Sequence, residues 1–313
     1  MPAASVDSLA LLRSMLAIRA FEGALMRHPD HGFQLLSSGQ EAVAVGLCAA
    51  LTPDDQLLSS GRSIAPALAR GVEPGAVMAE LFGKAAGPCG GRGGRGHLAQ
   101  PSMGFFGAHA VVGGNLTIAA GVALAMQSRG KRGIVACMFG DGACGSGALH
   151  ETLNLAALWQ LPLLFICDNN GYSVSTRQAD ALAPPRLSSL SAPFGIPGVT
   201  VDGMDVLAVR DAAHAFADRA RSGGGPAFLE CLSARFATHS TATRDTRPAD
   251  ELAADRARCP ILRLATQLEA EGALTPEGRA QLERDAARAA EEAVRFADAA
   301  PYPDASELLR HVV

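Results

Sequence analysis

Short apolar runs alternate with longer amphipathic stretches through the middle of the chain. Five of these runs are predicted strands, at residues 56–60, 133–139, 161–167, 198–201 and 226–233. Three longer stretches in the same region are predicted helices, at residues 116–127, 147–159 and 205–221. Continuous apolar strands that alternate with helices are typical of a parallel sheet covered on both faces. We therefore expect an α/β fold.

Helices are also predicted on either side of this region. They fall at residues 40–51, 62–70, 74–84, 260–271, 275–297 and 306–311. A Gly-rich stretch at residues 87–114 shows little regular structure, and it is too long for an ordinary connection, so it is either functional or disordered. We expect one domain, with a helical N-terminal part at about 1–85, an α/β core at about 86–247 and a helical tail at about 248–313.

Composition narrows the possible classes of protein. The 313 residues are 48% hydrophobic and 19% charged, which supports a buried core and argues against disorder. A net charge of −4 without a basic stripe argues against nucleic-acid binding. No apolar run approaches the roughly 18 residues of a membrane span. Seven scattered cysteines without metal-ligand spacing suggest reduced thiols and a cytoplasmic protein.

Polar residues follow two neighbouring predicted strands at the point where each strand ends. Asp141, flanked by Gly140 and Gly142, follows the second apolar run, and Asn169 and Asn170 follow the third. Consecutive parallel strands end at the same edge of a sheet, where ligands bind in open α/β folds. A carboxylate and an amide oxygen suit Mg²⁺, which often shares its coordination shell with phosphate oxygens. The glycines permit a close approach of phosphate to the backbone.

The same segment permits two other interpretations. Gly140, Gly142 and Gly145 match the G-x-G-x-x-G pattern of dinucleotide-binding folds, with Asp168 as the ribose-binding acid. In that case Asp141 would repel the pyrophosphate unless a metal intervened, and the two asparagines would have no role. The segment could also be a tight turn with a capping aspartate. Both interpretations stay open as less favoured alternatives.

Residues 140–176, which begin with GDG and continue through NN, resemble the thiamine-diphosphate motif of 2-oxo acid dehydrogenase E1 α subunits. Such subunits occur in pyruvate, branched-chain and acetoin dehydrogenases. The resemblance covers nearly the whole chain, including GQEA at residues 39–42 and VDGMD at residues 201–205. It implies a thiamine-diphosphate-binding fold. It also implies an enzyme that decarboxylates a 2-oxo acid and passes the acyl group to a lipoyl or other carrier domain.

The resemblance assigns five residues to the Mg²⁺-diphosphate end of the cofactor. Asp141 and Asn170 would bind Mg²⁺ through their side chains, and Tyr172 would bind it through its backbone carbonyl. Gly142 and Ala143 would donate backbone N–H groups to the diphosphate. These assignments imply that thiamine diphosphate and Mg²⁺ are the cofactors.

Five further residues are implied around the rest of the cofactor. Arg62 would reach the diphosphate, Val112 would be the apolar wedge under the bent cofactor, and the backbone near Ala110 would face the aminopyrimidine. Arg235 and His239 match a loop over the active site, where His239 would act as an acid or base or contact phosphate. In the family, the acid beside the aminopyrimidine comes from a β subunit. We therefore expect a β-type partner and an α₂β₂ assembly.

Several positions depart from the family pattern. Leu35, Ile64 and Ala237 stand where the family usually has His, Gly61 stands where it has Tyr, and residues 93–97 read Gly-Gly-Arg-Gly-His instead of Gly-Gly-Ser-Met-His. We expect that cofactor binding is retained and that substrate recognition has diverged. Two alternatives therefore stay open. One is a transketolase-like acyl- or ketol-transferring enzyme that loads a carrier protein in a biosynthetic pathway, and the other is a non-catalytic binding subunit.

Overall fold

A six-stranded parallel sheet lies at the centre of the computed structural model, which describes residues 3–29, 32–307, 309 and 310, with residues 3–7 as backbone only. Its strand order is β2-β1-β3-β4-β8-β7, and a two-stranded hairpin, β5-β6, lies apart from it. The strands are β1 (Gln56–Ser60), β2 (Phe105–His109), β3 (Val135–Gly140), β4 (Leu163–Asn169), β5 (Tyr172–Ser173), β6 (Thr176–Arg177), β7 (Gly198–Asp202) and β8 (Ala227–Leu232).

Helices surround this sheet in the part of the chain that is described. They are α1 (Ala3–Arg27), α2 (Glu41–Ala49), α3 (Ile64–Ala69), α4 (Pro74–Leu81), α5 (Gly114–Ser128), α6 (Gly147–Leu158), α7 (Gln178–Ala181), α8 (Val206–Arg221), α9 (Ala249–Ala257), α10 (Pro260–Ala270) and α11 (Pro276–Ala299). None of these described helices has the length and apolar content that a membrane crossing needs.

The two faces of the sheet pack against different helices, because successive side chains of a strand point to opposite faces. In β3, Ala136 and Met138 join a core with α1, α2, α8 and α10, whereas Cys137 and Phe139 join a core with α5 and α6. Every residue of β4 is buried. Burial on both faces explains the continuous apolar runs, and the predicted α/β class with helices on both faces is confirmed.

The predicted helices and strands outside the Gly-rich stretch match the structure to within a few residues at each end, with one exception. At residues 306–311 the described part is a 3₁₀ turn, Ala305–Glu307, and residues 308 and 311 lie outside the described residues. Local caps set the observed ends. Asp205 begins α8 by accepting hydrogen bonds from two backbone N–H groups, and Thr275 begins α11 by accepting one from Gly278. The one-domain organisation stays a prediction. Residues 1, 2, 30, 31, 308 and 311–313, which fall within its terminal parts, lie outside the described residues.

The expectation of little regular structure at residues 87–114 is wrong at one point, because this stretch contains β2. This strand is the edge of the sheet, and β1 is the one strand of the sheet that it pairs with; on its outer side it contacts the preceding loop through an isolated bridge between Gln100 and Phe105. Its sequence, Phe-Phe-Gly-Ala-His, carries Phe105 as its one fully buried side chain. An edge strand needs no continuous apolar run, since one of its sides has no neighbouring strand. This is why the hydrophobic pattern did not reveal it.

The first part of the Gly-rich stretch is organised by a carboxylate from outside it. Glu80, near the end of α4, is fully buried. It accepts hydrogen bonds of 2.8–3.0 Å from the backbone N–H groups of Cys89, Gly91, Gly93 and Gly94. Backbone N–H groups that converge in this way form a concave site for an anion. The loop is therefore held in shape by Glu80, although its residues form no strand of the sheet.

The substitution Glu80→Ala is expected to lower the free energy of unfolding by at least about 2 kcal/mol, because several partly buried N–H groups lose their acceptor. Urea denaturation measures this loss, and hydrogen exchange should accelerate at residues 87–96. Glu73→Ala is the matched control, since Glu73 is exposed and its side chain forms no capping bond at the start of α4. Equal effects of the two substitutions would contradict the role assigned to Glu80.

Candidate active site

A cavity of about 340 Å³ lies at the carboxyl edge of the sheet, where ligands bind in open α/β folds. It is bounded by the segments that follow β1, β2, β3, β4 and β8. The structure brings together around this cavity all the cofactor, metal and catalytic residues expected from the sequence. These are Arg62, Ala110, Val112, Gly140, Asp141, Gly142, Ala143, Asn170, Tyr172, Arg235 and His239.

Asp141 is the buried carboxylate of the cavity. β3 ends at Gly140, which pairs with Asp168 of β4, and Asp141 begins a short 3₁₀ turn directly afterwards. Burial, with a smaller contribution from the nearby Asp168, raises the pKa of Asp141 to about 6, although backbone hydrogen bonds and Arg235 act in the opposite direction. No basic side chain in the described part of the chain forms an ion pair with Asp141. A cation in the cavity would relieve this buried charge.

The loop after β4 is held by one asparagine and presents the next one to the cavity. The side-chain amide of Asn169 donates to Glu230 Oε1 at 2.7 Å and to Gln178 Oε1 at 2.8 Å, and its Oδ1 accepts from the N–H of Gly171. Asn170 lines the cavity, and its Oδ1 accepts only a 3.2 Å hydrogen bond from the N–H of Tyr172. Asn169 therefore supports the loop, while Asn170 keeps lone pairs for a ligand.

Gly142 lies where the loops after β3 and β4 touch. A Cβ atom at this position would lie 2.4 Å from Ser173 Oγ, far closer than atoms can approach. At Gly140 the corresponding space is open, with the backbone oxygen of Asp168 4.0 Å away. Glycine at 142 thus lets the two loops come into contact, and glycine at 140 leaves its part of the turn uncovered, as a close approach of phosphate requires.

Arg62 contributes a positive charge to the same cavity. Its guanidinium donates to the backbone oxygen of Leu36 and, at 3.4 Å, to the backbone oxygen of His239. Burial lowers the pKa of Arg62, while Asp168, a second buried carboxylate at Glu22 and Asp141 raise this pKa. Arg62 forms no close ion pair with any described carboxylate, so its charge is available to an anion in the cavity.

Arg235 carries a buried donor without an acceptor. Its Nε donates to the backbone oxygen of Ala237 at 3.1 Å and its Nη2 to that of Val174 at 3.2 Å, but its buried Nη1 has no hydrogen-bond partner. Burial lowers the pKa of Arg235 to about 10, with Arg62 and Arg247 contributing. Buried polar groups almost always find a partner, so this guanidinium points to an acceptor supplied by a ligand.

His239 lies among these positive charges. Burial lowers the pKa of His239 to about 4, and the charges of Arg62, Arg235 and Arg95 lower this pKa as well. The imidazole is therefore neutral at neutral pH. It can accept a proton or a hydrogen bond there, but it does not start as a cation.

Sequence reasoning gave no role in the favoured site to Asp168, which lies behind the cavity. Asp168 is 5% exposed and accepts a 2.6 Å hydrogen bond from Gln40 Nε2 and a 2.5 Å hydrogen bond from Ser233 Oγ. Gln40 belongs to the GQEA segment at residues 39–42. The resemblance of that segment to the family was therefore the one sequence feature that could have indicated its hydrogen bond to Asp168. With both carboxylate oxygens engaged inside the fold, Asp168 is poorly placed for the ribose contact of the dinucleotide interpretation.

Some of the positions that depart from the family pattern line the cavity, and others lie away from it. Leu35, Gly61 and Arg95, all among the departures from the family pattern, line the cavity. Phe33, which sequence reasoning had not placed there, lines it as well. Ile64 is buried in the core against α1 and α2, and Ala237 is not among the lining residues. The expected divergence in substrate recognition therefore concerns Leu35, Gly61 and Arg95 most directly.

Comparison with known proteins places this geometry among related chains. The family described as dehydrogenase E1 component matches residues 9–306. The α subunit of acetoin:2,6-dichlorophenolindophenol oxidoreductase is 38% identical in Bacillus subtilis, over 97% of this chain and 93% of that subunit, and 40% identical in Cupriavidus necator over the same shares. The pyruvate dehydrogenase E1 component α subunit of Rhizobium meliloti is 37% identical, over 98% of this chain and 90% of that subunit.

The low pKa of His239 leads to a direct prediction. In the cofactor-free protein its imidazole should titrate near pH 4 instead of 6.5 in an NMR titration, with the signal assigned through His239→Gln. The unfolded chain then takes up this proton first as the pH falls, so the free energy of unfolding should decrease between about pH 6.5 and 4. His239→Gln should remove that part of the slope in urea denaturation. A midpoint near 6.5 would contradict the prediction.

Proposed function

Since the chain belongs to the dehydrogenase E1 component family, we propose that its cavity holds thiamine diphosphate with Mg²⁺ and that the chain decarboxylates a 2-oxo acid together with a β-type subunit. The enzyme type predicted from the sequence, an E1 α-type oxidoreductase dependent on thiamine diphosphate, is confirmed by the family and the relatives. The thiamine-diphosphate-binding fold is confirmed with it. The transketolase-like and non-catalytic alternatives are not favoured.

The buried Asp141 and the half-buried Asn170, in one cavity with Arg62, are the observation that carries the proposal for the cofactor. Asp141 is an unpaired carboxylate, Asn170 has spare oxygen lone pairs, and both line the same cavity as Arg62. Oxygen ligands suit Mg²⁺, and a guanidinium fork suits phosphate. The chemistry of the residues present therefore fits a metal diphosphate, with the carbonyl of Tyr172 as the third protein ligand and the backbone of Gly142 and Ala143 at the phosphates.

The apolar end of the cavity fits the rest of the cofactor. Val112 is 67% exposed and lines the cavity beside Ala110, so it can support a ring system from below. Thiamine diphosphate supplies the electron sink that accepts the electron pair left when the carboxyl group departs as CO₂. The contribution of the chain is to bind the cofactor, to orient it and to keep water away from the reacting carbon.

His239 and Arg235 are proposed to act on the substrate or on the phosphate. The neutral imidazole of His239 accepts a hydrogen bond or a proton from a reacting hydroxyl group, and its depressed pKa favours the return of that proton. Arg235 donates its unpartnered Nη1–H to an anionic oxygen. His239 is thus the catalytic residue of this chain, and Arg235 holds charge next to it.

A second chain is proposed because no described carboxylate that lines the cavity is free to contact the aminopyrimidine of the cofactor. Among its described lining residues the carboxylates are Asp141, assigned to the metal, and Asp168, engaged by Gln40 and Ser233. The acid that contacts the aminopyrimidine must then come from a β-type subunit, in an α₂β₂ assembly. Val111 and Val112, both more than 60% exposed, offer apolar surface at this place.

The remaining parts of the proposal concern the acceptor and the compartment. The acyl group would pass to a lipoyl or other acyl-carrier domain, as the oxidoreductase type implies. A cytoplasmic location is proposed from the seven cysteines, all free thiols in the structure and five of them buried.

The decisive experiment supplies the β-type chain. The purified pair, with thiamine diphosphate and Mg²⁺, is incubated with a panel of 2-oxo acids and an artificial electron acceptor, and CO₂ release is measured beside acceptor reduction. We expect activity for at least one 2-oxo acid, and a rate at least about 100-fold lower when either chain is omitted, because general acid–base groups contribute about this much. If no 2-oxo acid in the panel is decarboxylated by the pair, the proposal is wrong.

The assignment of Asp141 predicts opposite effects on stability and on cofactor binding. Asp141→Asn should raise the free energy of unfolding of the cofactor-free chain at pH 8 by about 2–3 kcal/mol, because the native pKa lies near 6 instead of its ordinary 3.8. The gain should shrink as the pH falls below about 6 and vanish below about 3.8, where the carboxyl is protonated in both the native and the unfolded state. In calorimetry the affinity for thiamine diphosphate with Mg²⁺ should fall at least about tenfold.

Asp180→Asn is the matched control for this substitution. Asp180 is exposed on α7 and does not line the cavity, so its replacement should leave both stability and cofactor affinity unchanged. Removal of Mg²⁺ with a chelator should abolish the difference in cofactor affinity between Asp141→Asn and the original chain. Undiminished affinity of Asp141→Asn in the presence of Mg²⁺ would refute the metal assignment.

A further inference from the structure

Arg95 lines the cavity, and no described carboxylate of the site forms an ion pair with it. It is half-buried, and it lines the cavity with Arg62 and His239. Its Nε donates to the backbone oxygen of Phe33 at 2.8 Å, but neither terminal nitrogen forms a hydrogen bond or an ion pair with any described residue. A guanidinium with two free terminal nitrogens is suited to hold a carboxylate through two parallel hydrogen bonds.

The backbone of Arg95 is fixed on both sides. The N–H of Gly94, the preceding residue, donates to Glu80 at 3.0 Å, and the carbonyl of Arg95 itself accepts a 2.5 Å hydrogen bond from Ser63 Oγ. Ser63 is buried and directly follows Arg62. Arg95 is therefore tied to the same segment as the proposed diphosphate residue, and its position does not depend on a free loop.

The side chain of Arg95 is also held in place. Its guanidinium carbon lies 4.1 Å from the centre of the Phe33 ring, which is a stacked cation–π contact. Its Nη1 lies 3.8 Å from the position that a Cβ atom of residue 61 would take. A Cβ atom there would be in ordinary contact with the guanidinium, so the guanidinium lies directly beside Gly61. A group held by backbone, ring and shape loses little entropy when it binds a ligand.

The neighbours of Arg95 show which kind of ligand this position suits. Leu35, which also lines the cavity, cannot bind an anion, and its Cδ1 lies 3.4 Å from the Cβ position of Gly61. The other charges are assigned elsewhere, with Asp141 for the metal and Arg62 for the diphosphate. Arg235, the third guanidinium of the cavity, is proposed to hold charge next to His239. Arg95 is the positive charge that lies beside the apolar side chains of Leu35 and Phe33, and this arrangement suits a small organic anion.

We propose that Arg95 is the recognition residue for the carboxylate of the substrate, so that this chain takes an anionic 2-oxo acid and not a neutral hydroxyketone. This inference rests on the proposed function and adds to it the group that selects the substrate. It distinguishes the chain from its relatives that are named for acetoin, a molecule without a carboxylate. Arg95 binds the substrate and carries no step of the reaction.

Three variants test this role in the complex with the β-type chain. Arg95→Gln removes the charge, and Arg95→Lys keeps it without the fork. Arg92→Gln is the matched control, because Arg92 lies on the same Gly-rich segment but is exposed, pairs with Glu307 and does not line the cavity. KM and kcat are measured for a panel of 2-oxo acids and for acetoin, with an artificial electron acceptor.

We expect Arg95→Gln to raise KM for the accepted 2-oxo acid about 10- to 100-fold, since a charged hydrogen bond is lost, with a smaller change in kcat. Arg95→Lys should recover part of this loss. Arg92→Gln should leave KM unchanged, and Arg95→Gln should not weaken any use of acetoin. An unchanged KM in Arg95→Gln, or an equal loss with acetoin, overturns the inference.

Two binding measurements separate the possible sources of the anion. Calorimetry with thiamine diphosphate and Mg²⁺ should give affinities within about threefold for Arg95→Gln and the original complex. A larger loss would assign Arg95 to the diphosphate and overturn the inference. Calorimetry with lactate, a carboxylate that cannot be decarboxylated in this way, should show binding to the loaded complex that Arg95→Gln weakens and Arg92→Gln preserves.

The lactate measurement also keeps the inference distinct from the proposed function. If the original complex decarboxylates no 2-oxo acid, the proposed function fails whatever the variants do. The carboxylate contact is then judged by lactate alone, where equal binding to the original complex and Arg95→Gln rejects it. If 2-oxo acids are turned over but Arg95→Gln behaves as the original does, only the inference fails.

Discussion

The parallel pairing of β3 with β4 is the constraint on which the site depends. Gly140 lies opposite Asp168 in this pairing, so the two loops that follow leave the sheet side by side. Asp141 and Asn170 then face one cavity, although 29 residues separate them in the sequence. A shift of one residue in this register would turn the side chains of β3 to the opposite face and would separate the core packing from the site.

The cavity also contains buried ionisable groups that no ion pair within the described chain neutralises. Asp141 keeps a raised pKa, Arg235 and His239 keep lowered ones, and burial is the largest cause in each case. Opposite charges are present but are held apart by backbone contacts, such as those from Arg62 to Leu36 and His239. A fold selected for stability alone would pair or remove such groups. Their retention is what makes the cavity suited to a charged cofactor.

The parts of the structure that sequence reasoning predicted are those with local signals. Periodicity located the buried strands, and residues at the ends of two neighbouring strands predicted that Asp141 and Asn170 would meet. The contacts of Arg95 with Phe33 and of Asp168 with Gln40 join segments far apart in the chain, so no local pattern reveals them. The edge strand β2 was missed because it has a partner strand on one side only. The pKa shifts depend on burial, which becomes visible only once all the loops are packed.

Glu80 fixes the path of the Gly-rich segment through the backbone. This path requires glycine at positions such as Gly91, where a Cβ atom would lie 2.4 Å from the carbonyl carbon of Gly83, but it accepts a large side chain at Arg95. The anchoring carboxylate comes from α4, and it binds backbone groups, which every residue type other than proline possesses. Residue 95 can therefore change from a small polar residue to an arginine while the path of the loop stays the same. On the proposed role of Arg95, such a loop favours evolvability, since one codon alters the selectivity of the cavity without a new backbone conformation.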